Sequence, residues 1–319
     1  MILDIIFLIV GLIVLIYGAN LLVDGGAALA HKLNISAMVI GLTVVAFGTS
    51  TPELVVNTVS SIKGSSALAL GNILGSNIFN ILAILGITAI FVPLNVKRTT
   101  TWVEVPLAVF AAVLILLMAD QDPQGIISRV EGISLLCFFA IFLLYTFMLA
   151  KHGGAGDGEE VVIKPYSIGK SILFILLGLV GLIVGGRLLV DGAVNIAQNL
   201  GISERIIGLT IVSIGTSLPE LATSVIAARK GNADIAIGNV VGSNIFNTFL
   251  ILGVSATIHP VEVPSGSWTD LIVNILSAGL LFLFIFTGKG RKINRWEGAI
   301  LLTLYAAYLV ILLTGYTLL

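Results

Sequence analysis

The sequence predicts an all-α membrane protein with ten transmembrane helices, arranged as two inverted-topology repeats of five helices with broken helices at the centre. Three observations lead to this fold class. The chain of 319 residues is 57% hydrophobic and only 10% charged, with a mean hydropathy of +1.12, which is unlike a soluble globular domain. A polar motif occurs twice within apolar surroundings, and the basic residues segregate to one side of the predicted topology.

Ten apolar segments approach or exceed the ~20 residues that a helix needs to cross a bilayer. Their ranges are 3–22, 36–60, 67–92, 102–119, 128–150, 168–190, 203–228, 233–258, 269–287 and 296–318. The first segment carries Asp4 as its only charge and no basic region. We therefore interpret it as a membrane span and not as a cleaved signal peptide.

One long polar connection divides the chain. Residues 1–150 are expected to form the first five-helix repeat, 151–167 a cytoplasmic linker, and 168–319 the second, inverted repeat. The glycine-rich and acidic stretch 153–160 is typical of a flexible linker. We favour a plain joint between the halves over a regulatory role for it.

The two halves align without gaps at an offset of 167 residues, which pairs a first motif (41–80) with a second (208–247). The paired positions include Gly18 with Gly185, Asp24 with Asp191, Gly41 with Gly208, Glu53 with Glu220, Gly71 with Gly238, 75–80 with 242–247 and Gly86 with Gly253. Glu131 and Glu297 match at an offset of 166. Because five spans is an odd number, the second half must enter the membrane from the opposite side, an architecture typical of secondary transporters.

Lysine and arginine positions test this topology. The side that holds the N-terminus has four basic residues, namely Lys63, Arg129, Arg187 and Arg205. The other side has twelve, namely Lys32, Lys97, Arg98, Lys151, Lys164, Lys170, Arg229, Lys230, Lys289, Arg291, Lys292 and Arg295. Since basic loops stay in the cytoplasm, both termini are expected to be extracellular.

Each motif places a glutamate inside an apolar span, directly after a proline and near a Gly-Thr-Ser triplet. Glu53 and Glu220 have no lysine or arginine in mid-span to neutralise them, and a buried unpaired charge is costly. We therefore favour a functional role for both over a structural ion pair. Pro52 and Pro219 have no N–H for the carbonyl four residues earlier, so each helix is expected to kink or break and to release backbone oxygens.

Further oxygen-bearing residues surround these glutamates. Hydroxyl and amide side chains precede each glutamate or form a stripe on the following span: Thr49, Ser50, Asn72, Ser76 and Asn80 in the first half, and Thr216, Ser217, Asn239, Ser243 and Asn247 in the second. The set contains no thiol or imidazole, and the three histidines and single cysteine lie elsewhere. All-oxygen sites are typical of hard cations such as Na⁺ and Ca²⁺.

Some neighbouring residues have simpler explanations. Gly71 and Gly75, like Gly238 and Gly242, form small-xxx-small patterns, for which close helix packing is the favoured interpretation. Asn77 and Asn244 lie off the polar stripe, and interhelical hydrogen bonding is as good an explanation as cation binding. Asp24 and Asp191 lie at span ends, where helix-end or loop roles are favoured over transport.

Gly-Thr-Ser-x-Pro-Glu followed by Gly-Asn-x-x-Gly-Ser-Asn-Ile-Phe-Asn, present twice, resembles the α-repeats of the sodium/calcium exchangers in the cation/calcium exchanger superfamily. The resemblance covers essentially the whole chain and implies a prokaryotic-type exchanger in the cell membrane. It implies that Glu53 and Glu220 are shared ligands of Ca²⁺ and Na⁺. The other implied ligands are the side chains of Thr49, Ser50, Ser76, Asn80, Thr216, Ser217, Ser243 and Asn247, with the backbone oxygens of Ala46 and Ser213. It also implies that spans 3–22 and 168–190 form a gating pair that slides across the rest.

Three sequence differences from members of this superfamily restrict which ions and which regulation we expect. Several potassium-dependent and prokaryotic relatives have aspartate where this chain has Asn247, which argues against K⁺ co-transport. The proton-coupled branch usually has a second glutamate after Gly-Asn, and neither 71–74 nor 238–241 contains one. The cytoplasmic Ca²⁺-sensing insert of animal exchangers is also absent from this sequence.

These observations favour Na⁺-driven Ca²⁺ antiport by alternating access, which moves net charge if three Na⁺ exchange for one Ca²⁺ as the resemblance implies. We expect no cofactor besides the transported ions, no enzymatic activity, no nucleic acid and no obligatory protein partner; the lipid bilayer is the expected surrounding. The nearest alternative is H⁺-coupled antiport of Ca²⁺ or another cation. A passive channel and an intramembrane hydrolase are less favoured, the latter because neither His-Glu-x-x-His nor Gly-x-Ser-x-Gly is present.

Overall fold

The computed structural model describes residues 2–64, 66–121, 125–152, 166–199, 213–264, 266–287 and 290–314. In the first half the helices and strands are α1 (Ile2–Leu33), α2 (Ala37–Ile40), α3 (Ala46–Thr49), α4 (Thr51–Ile62), α5 (Ser66–Ile78), α6 (Gly86–Phe91), β1 (Leu94–Asn95), α7 (Val105–Gln121), β2 (Ile126–Ile127) and α8 (Arg129–His152). In the second half they are α9 (Ile168–Asn199), α10 (Ser213–Thr216), α11 (Leu218–Arg229), α12 (Ala233–Ile245), α13 (Gly253–Ile258), β3 (Val261–Glu262), α14 (Ser267–Thr287), β4 (Lys292–Ile293) and α15 (Arg295–Thr314). Within the described residues, four π-helical stretches adjoin these helices: Gly41–Val45, Phe79–Leu85, Thr100–Glu104 and Phe246–Leu252.

The described residues contain eight helical segments long and apolar enough to cross a membrane, or nine if the bent pair Ala37–Thr49 and Thr51–Ile62 is one span. These nine coincide with nine of the ten predicted segments, which confirms an all-α protein with many membrane spans. The remaining segment, 203–228, begins outside the described residues, and α10 and α11 occupy its described part. The count of ten therefore stays a prediction, and linker residues 153–165 also lie outside the described ranges.

Helices α1 and α9 extend well beyond the predicted ends at 22 and 190, since they end at Leu33 and Asn199. The prediction ended each span where polar residues begin, but backbone hydrogen bonding does not require apolar side chains. Helix α1 gives way to Asn34 in a left-handed conformation with φ +55°, which asparagine tolerates well. The Ser36 hydroxyl then accepts from the Val39 N–H and caps α2.

Helices α1 and α9 pack against each other in antiparallel orientation along a glycine seam. We use this name for six residues at seven-residue intervals: Gly11, Gly18 and Gly25 on α1, and Gly178, Gly185 and Gly192 on α9. A Cβ on Gly185 would lie 2.5 Å from the Leu15 nitrogen, and one on Gly178 would lie 2.6 Å from the Leu22 nitrogen. The two backbones are thus in direct contact, as small residues permit between membrane helices.

The centre of the molecule consists of segments Ala69–Phe91 and Ala233–Ile258. In their most apolar windows 83% and 94% of the residues are buried, against 17–44% in the other candidate spans. Each central segment contains a seven-residue π-helical stretch, which starts one residue before Asn80 or Asn247. Such stretches are frequent at functional sites because they shift side chains out of the α-helical register.

The two predicted halves contact each other through outer helices and short strands. Gly86 of α6 packs on Gly298 of α15, and the equivalent Gly253 of α13 packs on Gly132 of α8. Strand β1 pairs with β4 and β2 pairs with β3, both antiparallel, so each short sheet joins one half to the other. Spans 3 and 5 of the predicted topology are thereby tied to spans 10 and 8 of the other half.

Glu131 and Glu297 of the repeat serve as helix caps. The Glu131 carboxylate accepts from the Ser128 N–H at 2.6 Å while the Ser128 hydroxyl accepts from the Glu131 N–H, a reciprocal capping box at the start of α8. At the start of α15, the Glu297 carboxylate accepts from the backbone and side-chain N–H groups of Asn294. Both residues are far from Glu53 and Glu220 in the sequence. They occur at equivalent positions of the two halves because each caps the start of a helix.

The packing interpretation of the motif glycines is confirmed in the second half. A Cβ on Gly238 would lie 3.0 Å from the Met38 Sδ, and one on Gly242 would lie 2.8 Å from the Ala46 Cβ. Gly71 is exposed, and no described residue lies within 4 Å of a Cβ placed on it. Residues 205 and 209, which correspond to Met38 and Leu42 under the repeat, lie outside the described ranges, so packing at Gly71 stays a prediction.

Candidate cation site

Both motif helices are interrupted immediately before the glutamate. Ser50 (φ −82°, ψ 5°) separates α3 from α4, and Ser217 (φ −93°, ψ 8°) separates α10 from α11. Pro52 follows as the second residue of α4, where no intrahelical N–H is needed. The predicted interruption is confirmed, and in the first half the two segments meet at 47°. Glu53 thus lies in the first turn of its helix, as does Glu220, where the helix dipole favours a negative charge.

Each glutamate is bound by a serine from the other motif. The Ser50 hydroxyl donates to Glu220 Oε1 at 2.9 Å, and the Ser217 hydroxyl donates to Glu53 Oε1 at 3.0 Å. The Ser243 hydroxyl lies 2.9 Å from Ser50 Oγ. These side chains and Ser76, whose Oγ is 3.2 Å from Ser217 Oγ, are all buried. These residues form two triads, Ser50–Glu220–Ser243 and Ser217–Glu53–Ser76. Replacing each residue by its equivalent in the other half converts one triad into the other.

The amides of Asn80 and Asn247 are fixed by the two asparagines off the polar stripe. Asn80 Nδ2 donates to Asn244 Oδ1 at 3.0 Å, and Asn247 Nδ2 donates to Asn77 Oδ1 at 3.1 Å. Asn244 Nδ2 in turn donates to the Asn77 carbonyl at 3.2 Å, and Asn77 Nδ2 to Thr248 Oγ1 at 3.2 Å. Asn77 and Asn244 are therefore interhelical hydrogen-bonding residues that also orient two predicted ligands.

Four buried oxygens of the predicted ligands have no hydrogen-bond partner within the described part of the chain. They are Glu53 Oε2, Glu220 Oε2, Asn80 Oδ1 and Asn247 Oδ1, two pairs of equivalent atoms from the two halves. Buried acceptors without a donor are costly. A bound cation satisfies such oxygens, and carboxylate and amide oxygens are ligands for Ca²⁺. The donor set therefore fits a hard cation as a substrate.

The remaining predicted ligands do not have equivalent described contacts in the two halves. The Thr49 hydroxyl lies 3.0 Å from Asn239 Oδ1 and 3.3 Å from the Ala46 carbonyl, which also accepts from the Ser50 N–H at 2.9 Å. Thr216, the equivalent of Thr49, is half-buried and lines a cavity. Ser213 starts α10, and its side chain lies outside the description. Cation binding by Thr49, Thr216, Ala46 and Ser213 stays a prediction.

Two supporting residues were not among the predicted ligands. Asn239 Nδ2 donates to the Glu220 carbonyl at 3.2 Å and to Ser224 Oγ at 3.0 Å, and so connects the two segments of the second motif. Asn57 Nδ2 donates to the Glu53 carbonyl at 2.8 Å. The polar stripe indicated Asn239, but no sequence pattern distinguished Asn57 from an ordinary helical asparagine.

A cavity of about 220 Å³ lies between α4, α9 and the second helix break. Its lining residues are Thr51, Pro52, Val55, Val56, Leu182, Ile183, Gly186, Arg187, Val190, Asp191, Gly215, Thr216 and Pro219. Because Pro52 and Pro219 adjoin Glu53 and Glu220 in the chain, this cavity leads toward the cation site. Its position makes it a candidate access route from the side of the molecule where α4 and α9 end.

Replacing Asn77 with leucine is expected to lower Ca²⁺ affinity by about tenfold, at the low end of what loss of a ligand-orienting residue costs. The change removes the acceptor that fixes the Asn247 amide, so that Asn247 can rotate its nitrogen toward the ion. Calorimetric titration of the purified protein with Ca²⁺ measures the effect. Asn274→Leu is the control, since Asn274 is equally buried but lies on α14, outside this network. Equal losses in both variants would contradict the orienting role.

Comparison with known proteins shows which family the whole chain resembles. The family described as sodium/calcium exchanger protein matches residues 3–148 and 170–314. CaxA of Alkalimonas amylolytica is 40% identical over 97% of this chain and 98% of its own. The sodium/calcium exchanger MaX1 of Methanosarcina acetivorans is 32% identical over 96% of this chain and 97% of its own.

A solved structure gives a similar result for the fold. The sodium-calcium exchanger NCX_Mj, soaked with Na⁺ and Ca²⁺, superposes with a TM-score of 0.83 at 33% sequence identity. The match covers 97% of this chain and 98% of that one. The likeness therefore extends over both motifs and the helices around them.

Proposed function

Because the chain belongs to the sodium/calcium exchanger family, we propose that it is an antiporter that exchanges Na⁺ for Ca²⁺ by alternating access. Its family consists of secondary transporters and not of enzymes, and cation/Ca²⁺ exchange is the activity that the family and the fold support. The direct coupling to Na⁺ is our proposal. The observation that carries it is the set of four unpartnered oxygens, two of them from carboxylates.

Charge balance explains how such a site couples two fluxes. One Ca²⁺ neutralises Glu53 and Glu220, whereas Na⁺ ions have to occupy several oxygen positions to supply comparable charge. Both ions need the same two carboxylates, so they compete for the site. Competition at a site that opens to one side at a time converts a Na⁺ gradient into Ca²⁺ movement. If three Na⁺ replace one Ca²⁺, each cycle moves one net charge, worth ~2.3 kcal/mol per 100 mV.

The ten-span inverted topology and the orientation of the termini belong to the same proposal. The antiparallel contact of α1 with α9 supports two halves of opposite direction. The excess of lysine and arginine on the side of the linker supports a cytoplasmic location for the linker and extracellular termini. The protein is a membrane protein with several apolar helices, and we place it in the prokaryotic cell membrane.

Uptake of radioactive Ca²⁺ into proteoliposomes tests the coupling. Vesicles loaded with Na⁺ and diluted into Na⁺-free buffer are expected to accumulate Ca²⁺ at least about tenfold above vesicles with Na⁺ on both sides. An imposed interior-positive potential should speed Ca²⁺ uptake, and an interior-negative one should slow it, if the cycle exports positive charge. Uptake that ignores the Na⁺ gradient but follows a pH gradient would replace this proposal with H⁺-coupled antiport.

A further inference from the structure

A lysine next to the second motif helix connects that helix to the first helix of the chain. Lys230 follows α11, and its Nζ lies 2.7 Å from Asp24 Oδ1 and donates to the Asn20 carbonyl at 3.1 Å. Asp24 and Asn20 both belong to α1. The contact therefore fixes the end of α11 against α1 on one side of the protein.

The repeat provides the same residues on the opposite side without the same contact. Lys63 follows α4 as Lys230 follows α11, and each precedes a glycine in a left-handed conformation, Gly64 at φ 75° and Gly231 at φ 80°. Asp191 of α9 is the equivalent of Asp24. Both Lys63 and Asp191 are exposed, and no ion pair joins them in the described part of the chain.

The surroundings of Lys230 and Lys63 also differ: residues near Lys230 are more buried than their equivalents near Lys63. Asp191 lines the cavity that leads toward the cation site, as does Val56, which is 43% exposed. Thr223, the equivalent of Val56, is 0% exposed. Helix α1 packs along α11, whereas the equivalent contact of α9 with α4 is nearly absent. The described part of the chain is thus closed on the Lys230 side and open on the Lys63 side.

We propose that Lys230–Asp24 and Lys63–Asp191 are two alternating ion-pair clasps, of which only the one on the closed side forms. The proposal rests on the proposed alternating access and names the residues that hold each side closed. Closing the cavity requires α9 to approach α4, which brings Asp191 toward Lys63. Because the glycine seam holds α1 and α9 in backbone contact, this movement carries Asp24 away from Lys230.

Arg187 makes the two clasps unequal. It occupies the position that Asn20 has in the first half, one helical turn before Asp191, and it lines the cavity. An arginine four residues from an aspartate on one helix attracts it and competes with Lys63 for its charge. The Lys63–Asp191 clasp is therefore the weaker one, and the state closed at Lys230 is favoured at rest.

Thiol labelling of two reporter cysteines tests the proposal without any ion gradient, so its outcome is independent of Na⁺ coupling. The reporters are Val56→Cys and Thr223→Cys, each introduced separately into the full chain with Cys137→Ala. Labelling of Val56→Cys should be faster in the parent protein. Asp24→Asn or Lys230→Met should raise the labelling rate of Thr223→Cys by about two- to fivefold and lower that of Val56→Cys, the range expected for a partly exposed ion pair.

Two controls separate a clasp from a general loss of stability. Lys97→Met removes the Lys97–Asp234 pair, which has a length of 2.6 Å and side-chain exposures of 30% and 18%, close to the 28% and 21% of Lys230 and Asp24. Lys97→Met should leave the labelling rates of both reporter cysteines unchanged. The charge-reversed pair Asp24→Lys with Lys230→Asp should restore the parent rates. The proposal is overturned if both reporters move in the same direction, if Lys97→Met has an equal effect, or if charge reversal fails to restore the rates.

Discussion

Glu53→Gln is expected to reduce Ca²⁺ uptake by about 100-fold or more, because breaking a buried charge pairing costs about 3–5 kcal/mol. Glutamine removes one of the two formal charges that balance Ca²⁺. It also places an NH₂ group where the site needs an unpaired oxygen, Glu53 Oε2. Glu220→Gln should have an equal effect, since the two carboxylates have equivalent partners in Ser217 and Ser50. Na⁺-dependent uptake into proteoliposomes measures both.

Glu104→Gln provides the matched control for this experiment. Glu104 is fully buried in a membrane span, like Glu53, and its Oε1 accepts from the Tyr145 hydroxyl at 2.5 Å. It contributes to neither triad, so uptake should fall by less than about threefold, in line with loss of one neutral hydrogen bond. A loss as complete as that of Glu53→Gln would mean that any buried carboxylate is essential, and the cation site would lose its support.

Gly185→Ala is expected to abolish exchange and to destabilise the protein by about 1–3 kcal/mol through overpacking. The added Cβ would lie 2.5 Å from the Leu15 nitrogen and 2.8 Å from the Gly11 carbonyl oxygen. These are backbone atoms that cannot rotate away, so α1 and α9 must separate. A lower thermal unfolding midpoint of the purified protein, together with lost uptake, is the expected result.

Gly71→Ala is the control for the glycine seam. It adds the same methyl group to another membrane helix, but no described residue lies within 4 Å of the new Cβ. Alanine also has the higher helix propensity, by about 1 kcal/mol. Gly71→Ala should therefore preserve or slightly raise the unfolding midpoint, and an equal destabilisation by both changes would argue against backbone contact as the cause.

The sequence was sufficient to predict an all-α membrane protein, the helix breaks and the burial of Glu53 and Glu220. Hydropathy indicated the spans, since lipid requires uninterrupted apolar helices. Pro52 and Pro219 indicated the breaks, since proline cannot continue an intrahelical ladder. The repeat then predicted that Glu53 and Glu220 would have equivalent environments, and the structure gives each a serine partner.

The partners themselves could not be predicted. On a continuous helix Ser50 would share a face with Glu53, but the break at Ser50 points its hydroxyl toward Glu220 instead. The π-helical stretches at Asn80 and Asn247 have no sequence pattern, because they result from a one-residue shift in hydrogen bonding. Matching repeats also conceal that Val56 is 43% exposed and the equivalent Thr223 is buried, since this difference belongs to one conformation of the chain.

Each motif glutamate has its serine hydrogen-bond donor in the other half of the chain, and this constrains the order in which the site can form during synthesis. While the ribosome is still translating the second half, the newly inserted first half contains Glu53 before Ser217, its hydrogen-bond donor, exists. That carboxylate has to stay hydrated or protonated until the later helices arrive. A chain that ends after the first half lacks Glu220 and Ser243 of one triad and Ser217 of the other. Neither triad can assemble before the second half is inserted.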